Sequence, residues 1–344
     1  MKVLLTHELF PPDFAGGGEN LTLECARYLG RRGVEMSVLT TGDPGIRAFE
    51  GISTTRLAVH RYRMNFAVSE IMKHARDADV IQTFNFHACL PSLLAGQRLG
   101  KPVILLVLGV YARAWLDMKG AVAGRLYAAW ERFLFTRPFA RVAFLSEYSR
   151  QMGLELGIDP ARTLVARMGL HHARFSASEA KDGSVLFVGK LEVRKGIWEL
   201  LAVAKALPDI RFRIVGWGPE ERAVRREASP NVEFVDIVTN GNLAPEFSRA
   251  SIFLLPSRAE GSPMALLEAM ASGCAVVCTL PLEYEGAKVA PGDIPGLISA
   301  VRSLASEPAR ARALGQANVT LARAHTWEDF AATLHAVYRE VLGT

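Results

Sequence analysis

Cysteine is scarce in this chain. Its four cysteines, Cys25, Cys89, Cys274 and Cys278, lie in apolar surroundings without a zinc-ligand pattern, which excludes a zinc module and a disulfide framework and predicts reduced core thiols. Long apolar runs are missing as well. The longest of interest, 102–112, is bracketed by Lys101 and Arg113 and is too short to span a bilayer. A secretory leader is not expected, because Glu8 and Pro11 interrupt the N-terminal apolar segment before a signal core can form; cytoplasmic residence follows as an expectation. There is no low-complexity run and no internal repeat. The stretch Gly16-Gly17-Gly18-Glu19-Asn20-Leu21 lacks the last glycine of Gly-x-Gly-x-x-Gly, which weakens a dehydrogenase reading.

At 344 residues, half of them hydrophobic, the chain has material for two cores. Short apolar segments alternate with helical periodicity. Strands are predicted at 2–6, 36–40, 80–83, 103–108 and 142–145, then again at 185–188, 212–215, 232–235, 252–255 and 275–278. Helices are predicted at 17–32, 197–207, 219–228, 263–272 and 327–342. The fold class is therefore α/β, with two doubly wound Rossmann-like domains facing a cleft. The first domain is placed at 1–170 and the second at 184–326. The polar, glycine-bearing stretch 171–183 reads as a linker. The net charge of +5 is uneven: 98–150 holds nine basic against three acidic residues. Its cations and aromatics (Arg113, Trp115, Lys119, Arg125, Trp130, Arg132, Phe133, Arg137) suit an anionic membrane surface. Nucleic acid is not an expected partner.

The most informative segment is 256–273, Pro-Ser-Arg-Ala-Glu-Gly-Ser-Pro-Met-Ala-Leu-Leu-Glu-Ala-Met-Ala-Ser-Gly. Ser262 reads as a helix N-cap, Pro263 as the first helical residue and Gly273 as the left-handed residue that ends the helix. Glu268 is the only charge between Pro263 and Val277, on a helix apolar nearly all round, so it is expected to be buried and in need of partners. The segment resembles the Glu-x7-Glu signature of retaining glycosyltransferases of the GT-B fold, family 4. That resemblance implies that Glu268 accepts from the ribose hydroxyls of a nucleoside diphosphate sugar and Glu260 from hydroxyls of the transferred sugar. The diphosphate would sit at the helix start near Ser262, Pro263 and Met264.

Other segments extend the resemblance. Residues 187–196, Phe-Val-Gly-Lys-Leu-Glu-Val-Arg-Lys-Gly, resemble the family's diphosphate segment and assign Gly189, Lys190 and Lys195 to the phosphates, with Lys190 where Arg is usual. The turn after Arg213-Ile-Val brings Gly216 close to the nucleotide, and Trp217 either shields the base or packs. Around Val238 the family reads the base through its main chain. Residues 10–19 resemble the first glycine loop, whose Gly16, Gly17 and Gly18 would face a phosphate or the acceptor, with His87 and Leu108 nearby. The terminal helix at 327–344 would complete the first domain. Two features depart from the family: Gln82, Phe84 and Leu108 stand where His is common, and 278–289 is short and lacks a Gly-Gly-x-Pro-Glu loop.

The resemblance thus implies a metal-independent retaining transferase, with the nucleotide sugar as co-substrate, no cofactor and a carbohydrate or lipid-linked acceptor. A non-catalytic nucleotide-sugar-binding relative, and a phosphate-dependent or epimerising enzyme of the same fold, remain open. A glycosidase is disfavoured: two Glu eight residues apart on one helix lie ~12 Å apart along its axis, too far for a retaining pair.

Overall fold

The computed structural model describes residues 1–13, 17–178, 180–235 and 243–344. Val238 and Gly16 lie outside them. The chain divides into two compact units: 1–112 with 129–169 and 326–344, and 113–128 with 170–325. The stretch 113–128, expected in the first domain, therefore belongs to the second unit.

The first unit is built on β1 (Lys2–Thr6), β2 (Glu35–Thr41), β3 (Ala48–Phe49), β4 (Ile52–Leu57), β5 (Val80–Phe84), β6 (Val103–Val107), β7 (Arg141–Phe144) and β8 (Thr163–Val165), in the order β3-β4-β2-β1-β5-β6-β7-β8. All neighbours pair in parallel except the short β3–β4 hairpin. β5 and β6 are buried along their whole length, as helices on both faces of a parallel sheet require. The Trp327–Leu342 helix belongs to this unit. Its Tyr338 hydroxyl meets Gln82 Oε1 in the core, and Trp327 stacks on Tyr28 with ring centroids 6.1 Å apart. Gly169 has to be glycine there, since a Cβ would stand 2.3 Å from the Trp327 backbone nitrogen.

The second unit contains β9 (Val185–Val188), β10 (Phe212–Val215), β11 (Val232–Val235), β12 (Ile252–Leu255), β13 (Ala275–Cys278) and β14 (Gly286–Lys288), ordered β11-β10-β9-β12-β13-β14 and parallel throughout. This is the doubly wound dinucleotide-fold order, and its direction reverses between β9 and β12. The stretch 171–183 is not a free tether. Lys181 Nζ donates to the Ser272 carbonyl at 2.6 Å and to that of Phe247 at 3.3 Å, and the His172 ring meets the His325 carbonyl at 2.9 Å. A polar, glycine-bearing composition also suits an extended strap held by side-chain-to-backbone hydrogen bonds. The four cysteines are buried and free.

Candidate functional site

In an open parallel sheet, ligands bind beyond the strand C-termini where the order reverses, because the two connections there diverge to opposite faces and leave a crevice. In the second unit that point lies between β9 and β12, and the loops that leave these strands are 189–196 and 256–263. They touch: Gly196, at φ +70°, lies so close to the Pro256 carbonyl that a Cβ would be 2.0 Å from its oxygen. The Arg258 amide donates to the Arg194 carbonyl at 2.9 Å. Gly216 is fixed by backbone proximity in the same way, since a Cβ on it would come within 1.8 Å of the Gly189 carbonyl oxygen. The demand for glycine at 216 thus arises within the protein, independently of any ligand.

Glu260 is buried where these loops meet. Its Oε1 lies 2.5 Å from Lys195 Nζ and its Oε2 3.3 Å from Arg194 Nη1. Burial pushes the carboxyl upward, but the Lys195 and Arg194 charges outweigh it and hold Glu260 below the usual carboxylate range. The sequence reading passed over Arg194. Its guanidinium also donates to the Ala259 carbonyl at 2.7 Å and to Glu192 Oε1 at 2.6 Å, so one planar fork fixes the loop that carries Glu260. Arg258 braces that loop from the other side, 2.6 Å from Glu199 and 3.1 Å from Asp117. Lys195 is therefore engaged by a carboxylate, whereas Lys190 lies 5.2 Å from the centroid of the Trp217 ring. Trp217 is 52% exposed, which removes the reading of it as a packing residue.

The helix after this loop spans Met264–Ala271, one residue later than expected. Ser262 is not its cap: Pro263, with ψ 115°, occupies the N-cap position, Met264 is the first helical residue, and no side chain among the described residues caps the start. An extended ψ at Pro263 moves the first helical turn beyond it, and the uncapped N–H groups suit an external anion. Gly273 ends the helix at φ +71° as expected. Glu268 is partly buried. Burial pushes its carboxyl up to about 7, against the opposing charge of Arg174, a residue that sequence reasoning also missed.

In the first unit the expected acceptor residues meet in part. Gly18 faces Leu108, whose Cδ1 would be 3.1 Å from a Cβ at Gly18, and His7 Nε2 would be 3.7 Å away. Gly17 is exposed at the start of the Gly17–Arg31 helix. His87 is partly buried, with Nδ1 3.0 Å from Asn65 Nδ2. Arg56, fully buried on β4, holds residues 10–13, beyond the end of β1, through the Phe10 carbonyl at 3.0 Å and Asp13 at 2.9 Å. Gln82 and Phe84 are fully buried, Gln82 being taken up by Tyr338 and Cys25 Sγ; neither residue faces solvent, so their departure from His does not open the site. Leu108 is only partly buried. Leu108→Ala is therefore expected to cost about 1–2 kcal/mol in chemical denaturation, below the 2–5 kcal/mol of a fully buried Leu. The short 278–289 segment is packed: the Tyr284 hydroxyl donates to the carbonyls of Cys278 and Ala287, at 3.2 and 3.3 Å.

No cluster of three or more His, Cys, Asp or Glu able to hold a metal occurs among the described residues, and no helix among them is long and apolar enough to cross a membrane.

Residues 16–169 match the family of glycosyl transferase 4-like domains, and residues 182–307 match the glycosyl transferases group 1. The glycogen synthase of Mycobacterium tuberculosis is 25% identical over 285 residues, which cover 76% of this chain and 68% of that protein. The D-inositol 3-phosphate glycosyltransferase of Mycobacterium leprae is 24% identical and covers 96% of this chain and 89% of its own. Among solved structures, the sucrose-phosphate synthase of Thermosynechococcus elongatus shares the fold at a TM-score of 0.85, with 19% identity over 99% of both chains. Anabaena HepE in complex with UDP and glucose gives 0.78 at 16% identity, over 99% of this chain and 100% of that one. Two glycine-turned parallel sheets, with a Glu260–Lys195–Arg194 cluster at the switch point of the second, thus accompany family matches over both halves: the chain belongs to the group 1, family 4-like glycosyltransferases and has their GT-B fold.

Proposed function

We propose that the protein transfers a sugar from a nucleoside diphosphate donor to an alcohol acceptor with retention of configuration. The observation that carries this reading is the ion-paired Glu260 beside Lys195 and Arg194 at the switch point, with Glu268 on the short helix that follows. Glu268 takes the ribose hydroxyls, Glu260 takes hydroxyls of the transferred sugar, and Lys190, Lys195 and the Met264 helix start take the diphosphate charge that a metal would otherwise neutralise. In the reaction the acceptor oxygen bonds to the anomeric carbon as the bond from that carbon to the phosphate oxygen breaks. The departing phosphate oxygen takes the acceptor proton. Structural relatives that bind UDP or UDP-glucose support a nucleotide sugar as co-substrate. The test is a calorimetric screen against nucleoside diphosphate sugars, followed by anomeric analysis of the product. Binding of one donor, with its anomeric configuration kept in the product, is expected; inversion refutes the retaining scheme, and donor binding without hydrolysis or transfer identifies a non-catalytic binder.

We also propose that the protein works at the cytoplasmic face of a membrane on a lipid-linked or glycan acceptor. On the Ala121–Phe135 helix, Val122, Leu126, Trp130 and Phe133 are all exposed, Val122 by 75% and Leu126 by 69%, with Arg125 and Arg132 exposed between them. Trp115, counted with this surface in the sequence, is buried and stacks on Tyr127 at 4.9 Å. Each well-placed cation contributes about 1 kcal/mol at an anionic surface. Co-sedimentation with phosphatidylserine vesicles is expected to weaken with salt and to fall further in Leu126→Asp. Binding that ignores both salt and lipid charge contradicts the membrane role.

A further inference from the structure

Residues 113–128 carry one acidic side chain, Asp117, among Arg113, Lys119 and Arg125. An anionic surface attracts the three cations and repels the acid, so the charge pattern of this stretch leaves Asp117 unexplained. Its surroundings in the fold explain it. The Ala114–Lys119 helix turns at Gly120, φ +78°, into the Ala121–Phe135 helix. Gly124 lets the two close on each other, since a Cβ there would stand 2.6 Å from both Leu116 Cα and the Trp115 carbonyl oxygen. The Trp115–Tyr127 stack, with Lys119 Nζ 5.7 Å from the Tyr127 centroid, completes a tightly packed platform under Asp117.

That platform lies against the Val193–Lys195 turn of the loop that follows β9. Asp117 Oδ2 is 3.1 Å from Arg258 Nη1. The other edge of the same guanidinium meets buried Glu199, whose Oε1 accepts from Nη2 at 2.6 Å and from Nε at 3.2 Å. Two carboxylates on two different elements thus grip one planar group from both sides, which fixes its orientation as one carboxylate does not. Arg258 stands two residues before Glu260; its amide bonds to the Arg194 carbonyl, and Arg194 in turn reaches Ala259 and Glu260. Both Asp117 and Arg258 are partly exposed, and such a pair adds little to stability. Its consequence lies in where it holds residues 258–260.

We propose that Asp117 is a positioning residue for the transfer: through Arg258 it fixes the turn 258–260 and so sets the Glu260 carboxylate against Lys195, Arg194 and the transferred sugar. This inference rests on the transferase reading above. A small displacement of a group that contacts the reacting sugar lowers turnover, whereas a nucleoside diphosphate lacks that sugar and is bound as before.

The test compares the full chain with its Asp117→Ala, Asp117→Glu and Arg258→Lys variants. The Glu260 carboxyl is titrated by carbon NMR, its signal assigned through Glu260→Gln, and turnover is followed as nucleoside diphosphate release from UDP-glucose, ADP-glucose, GDP-mannose and UDP-N-acetylglucosamine. Loss of the Asp117 charge by itself favours ionisation of Glu260 and lowers the pH at which it titrates. A loosened turn has the opposite sign, because against the upward push of burial it is Lys195 and Arg194 that hold Glu260 down. Asp117→Ala is therefore expected to titrate Glu260 at a higher pH than the wild type, with an unchanged unfolding temperature. Turnover should fall about tenfold while nucleoside diphosphate affinity stays within about twofold. Asp117→Glu, which keeps the carboxylate, should restore most of both. Arg258→Lys, whose ammonium lacks the two-edged fork, should move Glu260 in the same direction, and adding Asp117→Ala to it should change nothing further. A Glu260 titration that stays or falls in Asp117→Ala overturns the proposal, and so does unchanged turnover or a loss that adds to that of Arg258→Lys. A raised Glu260 titration in a protein that releases nucleoside diphosphate from none of the donors leaves the coupling standing and defeats the transferase reading, so the two failures are distinguishable.

Discussion

Glu268→Gln is expected to make the protein more stable at pH 8 while weakening nucleoside diphosphate binding about 10–100-fold, the loss of one to two charge-assisted hydrogen bonds. Burial raises the Glu268 carboxyl from 4.5 to about 7 in the folded state. A carboxyl with a raised folded pKa contributes stability that is fully present below its unfolded pKa and is lost as pH rises through the folded one. The ionised form therefore costs the fold up to about 3 kcal/mol above pH 7. Glutamine keeps the shape and removes that cost, so the stability difference should vanish near pH 4 and reach its full size by pH 8. Binding has the opposite dependence. Two ribose hydroxyls need a carboxylate that accepts twice, so wild-type affinity should rise as pH increases towards 7 and level off above it, whereas the glutamine variant should show no such rise. Thermal unfolding and calorimetry from pH 4 to 8 check both halves. A variant that is less stable at pH 8, or that binds as the wild type does, places the ribose elsewhere.

Much of this site could be read in the sequence because it is local. A strand, a glycine and a helix start within a dozen residues fix where Glu260 and Glu268 go, and Gly273 ends the helix through a backbone conformation that only glycine adopts easily. What escaped was non-local. Arg194 stands in the same quoted segment as Lys195, but its importance lies in reaching the Ala259 carbonyl and Glu260, which no spacing reveals. Gln82 stands where His is common, but its partners, Tyr338 from the far end of the chain and Cys25, place it in the core. The stretch 171–183 looked like a linker because side-chain bonds to backbone carbonyls, such as those of Lys181, carry no hydrophobic periodicity. The one-residue error at Ser262 has a different origin. Pro263 suits both the cap and the first helical position, since each tolerates a missing N–H, and only its ψ distinguishes them.

Lys195→Ala is expected to lower turnover about 100–1000-fold, the range for removing one preorganised group that stabilises charge in a transition state, and Lys190→Ala should cost markedly less. The two lysines looked equivalent in the sequence. In the structure Lys195 is held 2.5 Å from Glu260, while Lys190 lies over an exposed indole. A fixed ammonium can meet charge developing on the leaving diphosphate without reorganising. Removing Lys195 also strips the buried Glu260 of its nearest cation, so its carboxyl should rise towards the ordinary range. Because its pKa is depressed in the folded state, its stabilising contribution is present above the unfolded value of 4.5 and is lost as pH falls through the folded one. In Lys195→Ala that acid loss should begin at a higher pH. A double-mutant cycle with Glu260→Gln separates the two roles. If Lys195 acted only through Glu260, the double variant would turn over no more slowly than Glu260→Gln alone. If it also meets the diphosphate, Lys195→Ala should slow turnover further in the Glu260→Gln background and weaken nucleoside diphosphate binding there, while leaving nucleoside binding unchanged. Equal losses for Lys190→Ala and Lys195→Ala would show that the Glu260 ion pair does not set the geometry of the reacting phosphate.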